Sequence, residues 1–381
     1  MLRRPASLLC ALALLLAAPS AAHAVELGLV TDLTWGAAPA DQEREYGALA
    51  DLGARWVRVE VNWAEVEPER GAHHAWSLQQ IDSAIRRNRA AGRRVVVMIG
   101  KAPEWASGSA DHGTPPRDVA DYARFAAFLA RRYAGHGVAG YEIWNEQNIG
   151  RFWGGRPDAA AYVRLLRAAR AAIRAADRRA RIVFGGLSTN DLGYVRAAYA
   201  AGAKGQFDVM ALHPYSCEAR IDEPKRDASG AIRPNSFLGY RAVRDFMVAR
   251  GDAKPMWFTE LGWSTTGEAC GVSEAGQAER IETSVALMAR DPYVRAAMFY
   301  NLRNNYWLRD ADTTEARYGL LTADFRRKPA YLAFRAGARR AARTARLARR
   351  ARAQRLFRRP RAAGTVSARI LRSSQTLQFS M

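Results

Sequence analysis

Two glutamates stand where short apolar runs end. Glu146 closes Tyr141-Glu142-Ile143-Trp144-Asn145-Glu146, and Glu260 closes Trp257-Phe258-Thr259-Glu260 before Leu261-Gly262-Trp263. A lone glutamate at a strand end is usually a cap or an ion-pair partner. Two carboxyl groups facing each other can do more. One protonates a leaving oxygen, while the other attacks the carbon that the oxygen leaves or activates a water to do so. That chemistry opens a glycosidic bond. Other hydrolytic chemistries lack their residues. The six histidines fall at 23, 73, 74, 112, 136 and 213 with no H-x-H or H-E-x-x-H spacing, and there is no P-loop and no G-x-S-x-G. The sequence therefore predicts neither a metal nor a cofactor.

A pair so far apart in sequence needs a frame to bring it together. Apolar runs rich in β-branched or aromatic residues predict strands at Glu26–Val30, Arg55–Val61, Arg94–Gly100, Val138–Trp144, Arg181–Gly185, Phe207–Leu212, Pro255–Thr259 and Ala296–Tyr300. Most lack a strict period of two, as strands buried on both faces do. Amphipathic stretches between them predict helices at Ser77–Ala91, Val119–Tyr133, Asp158–Ala176, Ser236–Arg250 and Ser273–Arg290, with Gly92 and Gly251 directly after two of them. Eight strands alternating with helices fit a (β/α)₈ TIM barrel, a single α/β domain. A doubly wound open sheet is the rival, and the absence of G-x-G-x-x-G after the first strand weighs against it. In a barrel the site lies at the C-terminal ends of the strands. Strands four and seven lie across the ring from each other, so Glu146 and Glu260 can face one another.

With that frame in place, the sequence resembles the clan A glycoside hydrolases, closest to the family 39 and family 5 type. The matching pieces are Trp144-Asn145-Glu146, His213-Pro214-Tyr215, Thr259-Glu260-Leu261-Gly262-Trp263 and Arg58 within Val57-Arg58-Val59. Trp63 to Gly71, Trp76, Asp82, Tyr318-Gly319-Leu320-Leu321 and Lys328-Pro329 extend the likeness over about residues 26–337. The resemblance implies a retaining enzyme acting on a β-linked glycan through a glycosyl-enzyme intermediate. It implies Glu146 as acid/base, Glu260 as nucleophile, Asn145 on the sugar 2-hydroxyl, Arg58 and Tyr215 flanking Glu260, and His213 supporting the network. For Arg58 the alternative is an interior ion pair to Glu142 or Glu60. For His213 and Tyr215 it is core packing. Glu142 reads as structural.

The sequence departs from the clan pattern at the eighth strand, where Met298-Phe299-Tyr300-Asn301-Leu302-Arg303 lacks the usual tryptophan. Tyr300 or Trp307 is the substitute. Trp105, Trp153 and Trp263 follow strands three, four and seven, where rings can stack on sugars.

The ends of the chain set compartment and charge. Arg3-Arg4, the apolar run Leu8–Ala18 and Ala22-His23-Ala24 predict a signal peptide over 1–24 cleaved after Ala24, hence a secreted protein. Of three cysteines, Cys10 leaves with the signal, so Cys217 and Cys270 are expected to pair. Their disulfide joins neighbouring strand-end loops and is worth about 3–4 kcal/mol by chain entropy. The net charge of +21 is misleading, because 17 Lys+Arg and no Asp or Glu lie beyond residue 325. Residues 25–325 carry about +2, which removes the support for nucleic-acid binding. The catalytic domain is expected over 25–337. An Ala/Arg-rich tail over 338–381, disordered or loosely helical, is a candidate contact to an anionic cell-surface polymer. The competing function is a non-catalytic glycan-binding protein on the same barrel, which has no need of the glutamate pair.

Overall fold

A computed structural model describes residues 25–357. The expected signal segment 1–24 and the chain beyond 357 lie outside the described residues. Eight parallel strands close into a barrel in sequence order. They are β1 (Glu26–Val30), β2 (Trp56–Asn62), β3 (Arg94–Gly100), β4 (Val138–Asn145), β5 (Ile182–Ser188), β6 (Met210–His213), β7 (Met256–Leu261) and β8 (Val294–Phe299). The ring is sealed by Glu26 pairing with Ala296 and Leu29 with Phe299. One main helix follows each strand: α1 (Pro39–Leu52), α2 (Ala75–Ala90), α3 (Val119–Arg132), α4 (Ala159–Ala176), α5 (Leu192–Ala200), α6 (Tyr240–Ala249), α7 (Glu274–Met288) and α8 (Pro329–Phe357).

Local chemistry starts these helices where the sequence allows a cap. Asp118, Asp158, Asp191 and Ser273 each accept a hydrogen bond from the first turn of α3, α4, α5 and α7. The TIM-barrel expectation holds, and every expected strand lies within a few residues of an observed one. Three helices, α1, α5 and α8, escape the periodicity. α1 buries Tyr46, Leu49 and Leu52 on a stripe otherwise polar, and α5 has only nine residues. α8 also runs past residue 337, where the sequence change suggested a boundary, and stays helical to Phe357.

Two apolar layers flank the strands. The larger lies between strands and helices. The smaller fills the barrel floor with Trp56, Val96, Val183, Val209, Trp257, Ala296 and Met298, and the rings of Trp56 and Trp257 meet edge-on at 4.7 Å. Two residues further along β2 and β7, the inward positions are Arg58 and Thr259. Side chains on a strand repeat every second residue, so a polar layer sits directly on an apolar floor.

Candidate active site

The polar layer is organised by one guanidinium. Arg58 is 2% exposed. It donates from Nε to Glu142 Oε2 at 2.7 Å, from Nη1 to Glu260 Oε1 at 2.5 Å and from Nη2 to Asn145 Oδ1 at 2.7 Å. Both readings of Arg58 thus hold together: it pairs inside the barrel with Glu142 and also flanks Glu260. Burial alone would lower its pKa, but Glu142 and Glu260 more than offset that and hold the cation firmly. Glu142 is fully buried, and its Oε1 accepts from Thr259 Oγ1 at 2.8 Å and from the Gly186 amide at 3.0 Å.

Above this layer the backbone turns sharply to present the two glutamates. Trp144 and Glu146 adopt φ of 70° and 46°. Non-glycine residues rarely take that left-handed region, and it stores strain where a side chain must be aimed. The Glu146 amide is held by the Gly186 carbonyl at 2.8 Å. On the other side, the pairing of β7 with β8 slips between Phe258 and Leu261. Such an irregularity re-aims side chains. Thr259 already points inward, and the slip lets the next residue, Glu260, reach the mouth as well.

His213, at the end of β6, links the two. It is fully buried. Its Nε2 lies 3.0 Å from Thr259 Oγ1, and its Nδ1 lies 2.9 Å from Glu146 Oε1 and 3.7 Å from Glu260 Oε2. Only glycine at 186 permits this, since a Cβ there would stand 2.1 Å from His213 Nε2. The Thr259 hydroxyl gives its single proton to Glu142, so it accepts from His213 Nε2–H. One proton then lies between His213 Nδ1 and Glu146. Burial opposes charge on His213, but Glu260 and Glu146 outweigh it and raise its pKa above the usual imidazole value. Tyr215 donates to Glu260 Oε2 at 2.9 Å. Burial, and next the charge of Glu260, push its pKa well up, so it stays a phenol and a donor.

Oxygen atoms of Glu146 and Glu260 and a nitrogen of His213 all lie within 4.8 Å of one another. A cation could be held by such a trio elsewhere. Here Arg58 already supplies the counter-charge to Glu260, and both His213 nitrogens are engaged. The donor set is that of an ion-pair network.

The aromatic expectations divide. Tyr300, at the end of β8, lines the chamber and donates to Glu315 Oε1 at 2.5 Å. Tyr318 bridges it to Tyr215, with ring centroids 5.4 and 5.5 Å away. Trp105 and Trp263 each pack against other side chains of the fold. The Trp105 ring lies under the guanidiniums of Arg70 and Arg124, and its Nε1 donates to the Glu67 carbonyl at 3.0 Å. Trp263 is 3% exposed and packs toward Phe237 in the outer core. Trp153 likewise packs edge-on against Trp144 and Tyr162. Trp153 and Trp263 are buried, whereas Trp105 stays partly exposed.

Two features of the mouth carried no sequence signal. Glu315 is exposed, yet atoms crowd around it, and burial of its carboxyl raises its pKa. Glu260 and Glu146 act on the same carboxyl through space. Trp35, after β1, meets the exposed Trp307 at 5.1 Å, and Tyr306 donates to the Trp35 carbonyl at 2.9 Å. Arg303 ties the same loop to Asp41 and Glu45 of α1. The loop after β8 is thereby fastened across the β1 side of the mouth.

Cys217 and Cys270, in the loops after β6 and β7, form the expected disulfide, with Cα atoms 5.0 Å apart.

The model of the cellulase family, glycosyl hydrolase family 5, matches residues 22–279, more than half of the chain. No curated protein sequence matches. Among solved structures, the chain is similar to a family 39 glycoside hydrolase from the gut symbiont Bacteroides cellulosilyticus WH2. The TM-score is 0.66 at 20% identity, covering 84% of this chain and 64% of that one, so the chain spans less than two thirds of that relative. It is similar to GH5_18 from Streptomyces cattleya, solved with GlcNAc, at TM-score 0.65 and 19% identity, covering 84% and 81%. It is also similar to a monomeric beta-xylosidase from Caulobacter crescentus CB15, at TM-score 0.61 and 18% identity, covering 82% and 67%. At such identities these likenesses speak for the barrel.

Proposed function

The chain belongs to glycosyl hydrolase family 5, a glycosidase acting on carbohydrate, and from that premise we propose that it is an exported retaining enzyme that cleaves a β-linked glycan by double displacement. The observation that carries the reading is the closeness of the two glutamates, whose carboxylate oxygens lie within 4.8 Å. Direct attack on the sugar suits carboxyl groups about 5 Å apart, whereas admitting a nucleophilic water needs roughly 6.5–9.5 Å.

In the first step Glu260 attacks the anomeric carbon. The bond to the leaving oxygen breaks, and Glu146 gives that oxygen its proton. Arg58 and Tyr215 donate to the two oxygens of Glu260 and hold it in place. In the second step Glu146 takes a proton from water, the water oxygen bonds to the anomeric carbon, and Glu260 leaves as carboxylate. His213 orients Glu146 through the proton they share. Asn145, held by Arg58, turns its amide toward the sugar 2-hydroxyl, where hydrogen bonds strengthen in the transition state. The β configuration is supported by the clan resemblance that Trp144-Asn145-Glu146 and Thr259-Glu260-Leu261-Gly262-Trp263 carry. Export is supported by the basic and apolar segment before Val25 and by the disulfide.

The test is hydrolysis of a panel of β-linked polysaccharides and aryl β-glycosides, with the anomer first released read by proton NMR. Release of the β-anomer, lost in Glu260→Gln while binding persists, is the expected result. Release of the α-anomer would remove the double displacement. Glycan binding without turnover in the wild type would point to a binding protein.

A further inference from the structure

Beyond Ala338, α8 leaves the barrel and carries a row of cations that neither fold nor chemistry uses. Its first turns bury Ala330, Tyr331, Phe334 and Ala338. The helix descends from the mouth: Phe334 meets Phe299 at the end of β8, and Gly337 lies against Leu27 at the start of β1. The continuation therefore projects past the barrel floor, opposite the two glutamates.

Arg339, Arg343, Arg346 and Arg350 are all exposed. On an α-helix these four fall within about 60° of arc and follow one another over about 17 Å. No Asp or Glu occurs from Arg326 to the end of the chain. Among the described residues, the last ion pair that α8 makes is Arg335 with Asp51. Like charges three and four residues apart cost a helix roughly 0.2–0.5 kcal/mol per pair. The row is tolerated because alanine and arginine are strong helix formers, and a polyanion laid along it would relieve the repulsion.

We infer that this arm is a docking stripe for an acidic, carboxylate-bearing polysaccharide. A membrane surface fits it poorly. Leu347 is the one large apolar side chain described as exposed beyond Leu332, and a helix that lies in a lipid interface needs a continuous apolar face. A linear polyanion needs only the straight row of charge. Because the arm leaves the floor, a bound polymer holds the enzyme with its mouth turned outward. The stripe is a tether and does not feed the cleft.

The experiment uses the full chain and its Arg339→Gln/Arg343→Gln/Arg346→Gln/Arg350→Gln variant, glutamine being a comparable helix former. The probes are polygalacturonate, double-stranded DNA and phosphatidylglycerol vesicles. The wild type should bind polygalacturonate most tightly, with affinity falling as salt rises. The variant should lose about 10-fold or more in affinity with its melting temperature and its hydrolysis of small aryl glycosides unchanged. Equal binding by the two proteins would overturn the inference, as would tighter binding to DNA or vesicles. The small-substrate assay separates this outcome from failure of the glycosidase reading, which would show as no hydrolysis by either protein.

Discussion

His213 and Glu146 meet through Nδ1 and Oε1 at 2.9 Å, and the hydroxyl of Thr259 on the far side of the imidazole leaves one proton for the two of them to share. The carboxylates raise His213 above its usual pKa against the opposing effect of burial. The folded state thus holds this proton more tightly than the unfolded chain, whose histidine titrates near about 6.5. The resulting stability is fully present below that pH and is lost as pH rises through the folded value. We expect the melting temperature of His213→Gln to lie below wild type at acidic pH, with the gap narrowing on the alkaline side. A gap independent of pH would show that the shared proton does not contribute.

Arg58 serves three acceptors with one planar group, which an ammonium cannot do. Arg58→Lys should keep the fold but lower kcat by about 100-fold or more, because Glu260 loses its fixed partner. Arg58→Met leaves Glu142 and Glu260 without their cation, and should cost roughly 3–5 kcal/mol in urea unfolding. Full activity in Arg58→Lys would mean that the guanidinium fork has no part in holding Glu260.

Glu315 offers a carboxylate to the mouth while Tyr300 and Asn305 hold its Oε1. Glu315→Gln should raise KM for a neutral aryl glycoside about 3- to 10-fold with little change in kcat, as expected for a contact equal in ground and transition states. A fall in kcat at constant KM would place Glu315 in the chemistry instead.

Lys328 is 1% exposed, and burial lowers its pKa to about 7. Its amine gives hydrogen bonds to Thr265 Oγ1 and the Arg317 carbonyl, each at 3.0 Å. The folded value lies below the unfolded one, so the unfolded chain binds more protons above neutrality and stability rises with pH there. The stability of wild type relative to Lys328→Met should therefore grow from pH 7 toward pH 10. Parallel pH profiles for the two proteins would show that the lysine titrates normally.

The strands and their chemistry were legible because both follow from short-range pattern. Runs such as Val95-Val96-Val97 announce a strand buried on both faces, and a glutamate at the end of such a run must face the mouth of a barrel. Arg58, Asn145, His213 and Tyr215 lie in one hydrogen-bonded network with the two glutamates. What the pattern hid depends on long-range packing. Trp105 and Trp263 follow strand ends as cleft residues do, but only the fold puts arginines over one and the outer core around the other. Glu315 and Trp35 sit on loops that are adjacent solely because the barrel closes β8 onto β1. The helix of α1 escaped because polar residues break its apolar stripe.

Arg58, Glu142 and Glu260 come from strands β2, β4 and β7, far apart along the chain, and their contact depends on how each strand is threaded into the ring. Sliding β2 by one residue against its neighbours would put a valine where Arg58 stands. Two carboxylates would then be enclosed with no counter-charge, a penalty of several kcal/mol. The polar layer therefore penalises barrels assembled one step out of phase, which an apolar layer of interchangeable valines could not do. The same side chains that would handle the sugar also act as a checksum on the folding of the barrel around them.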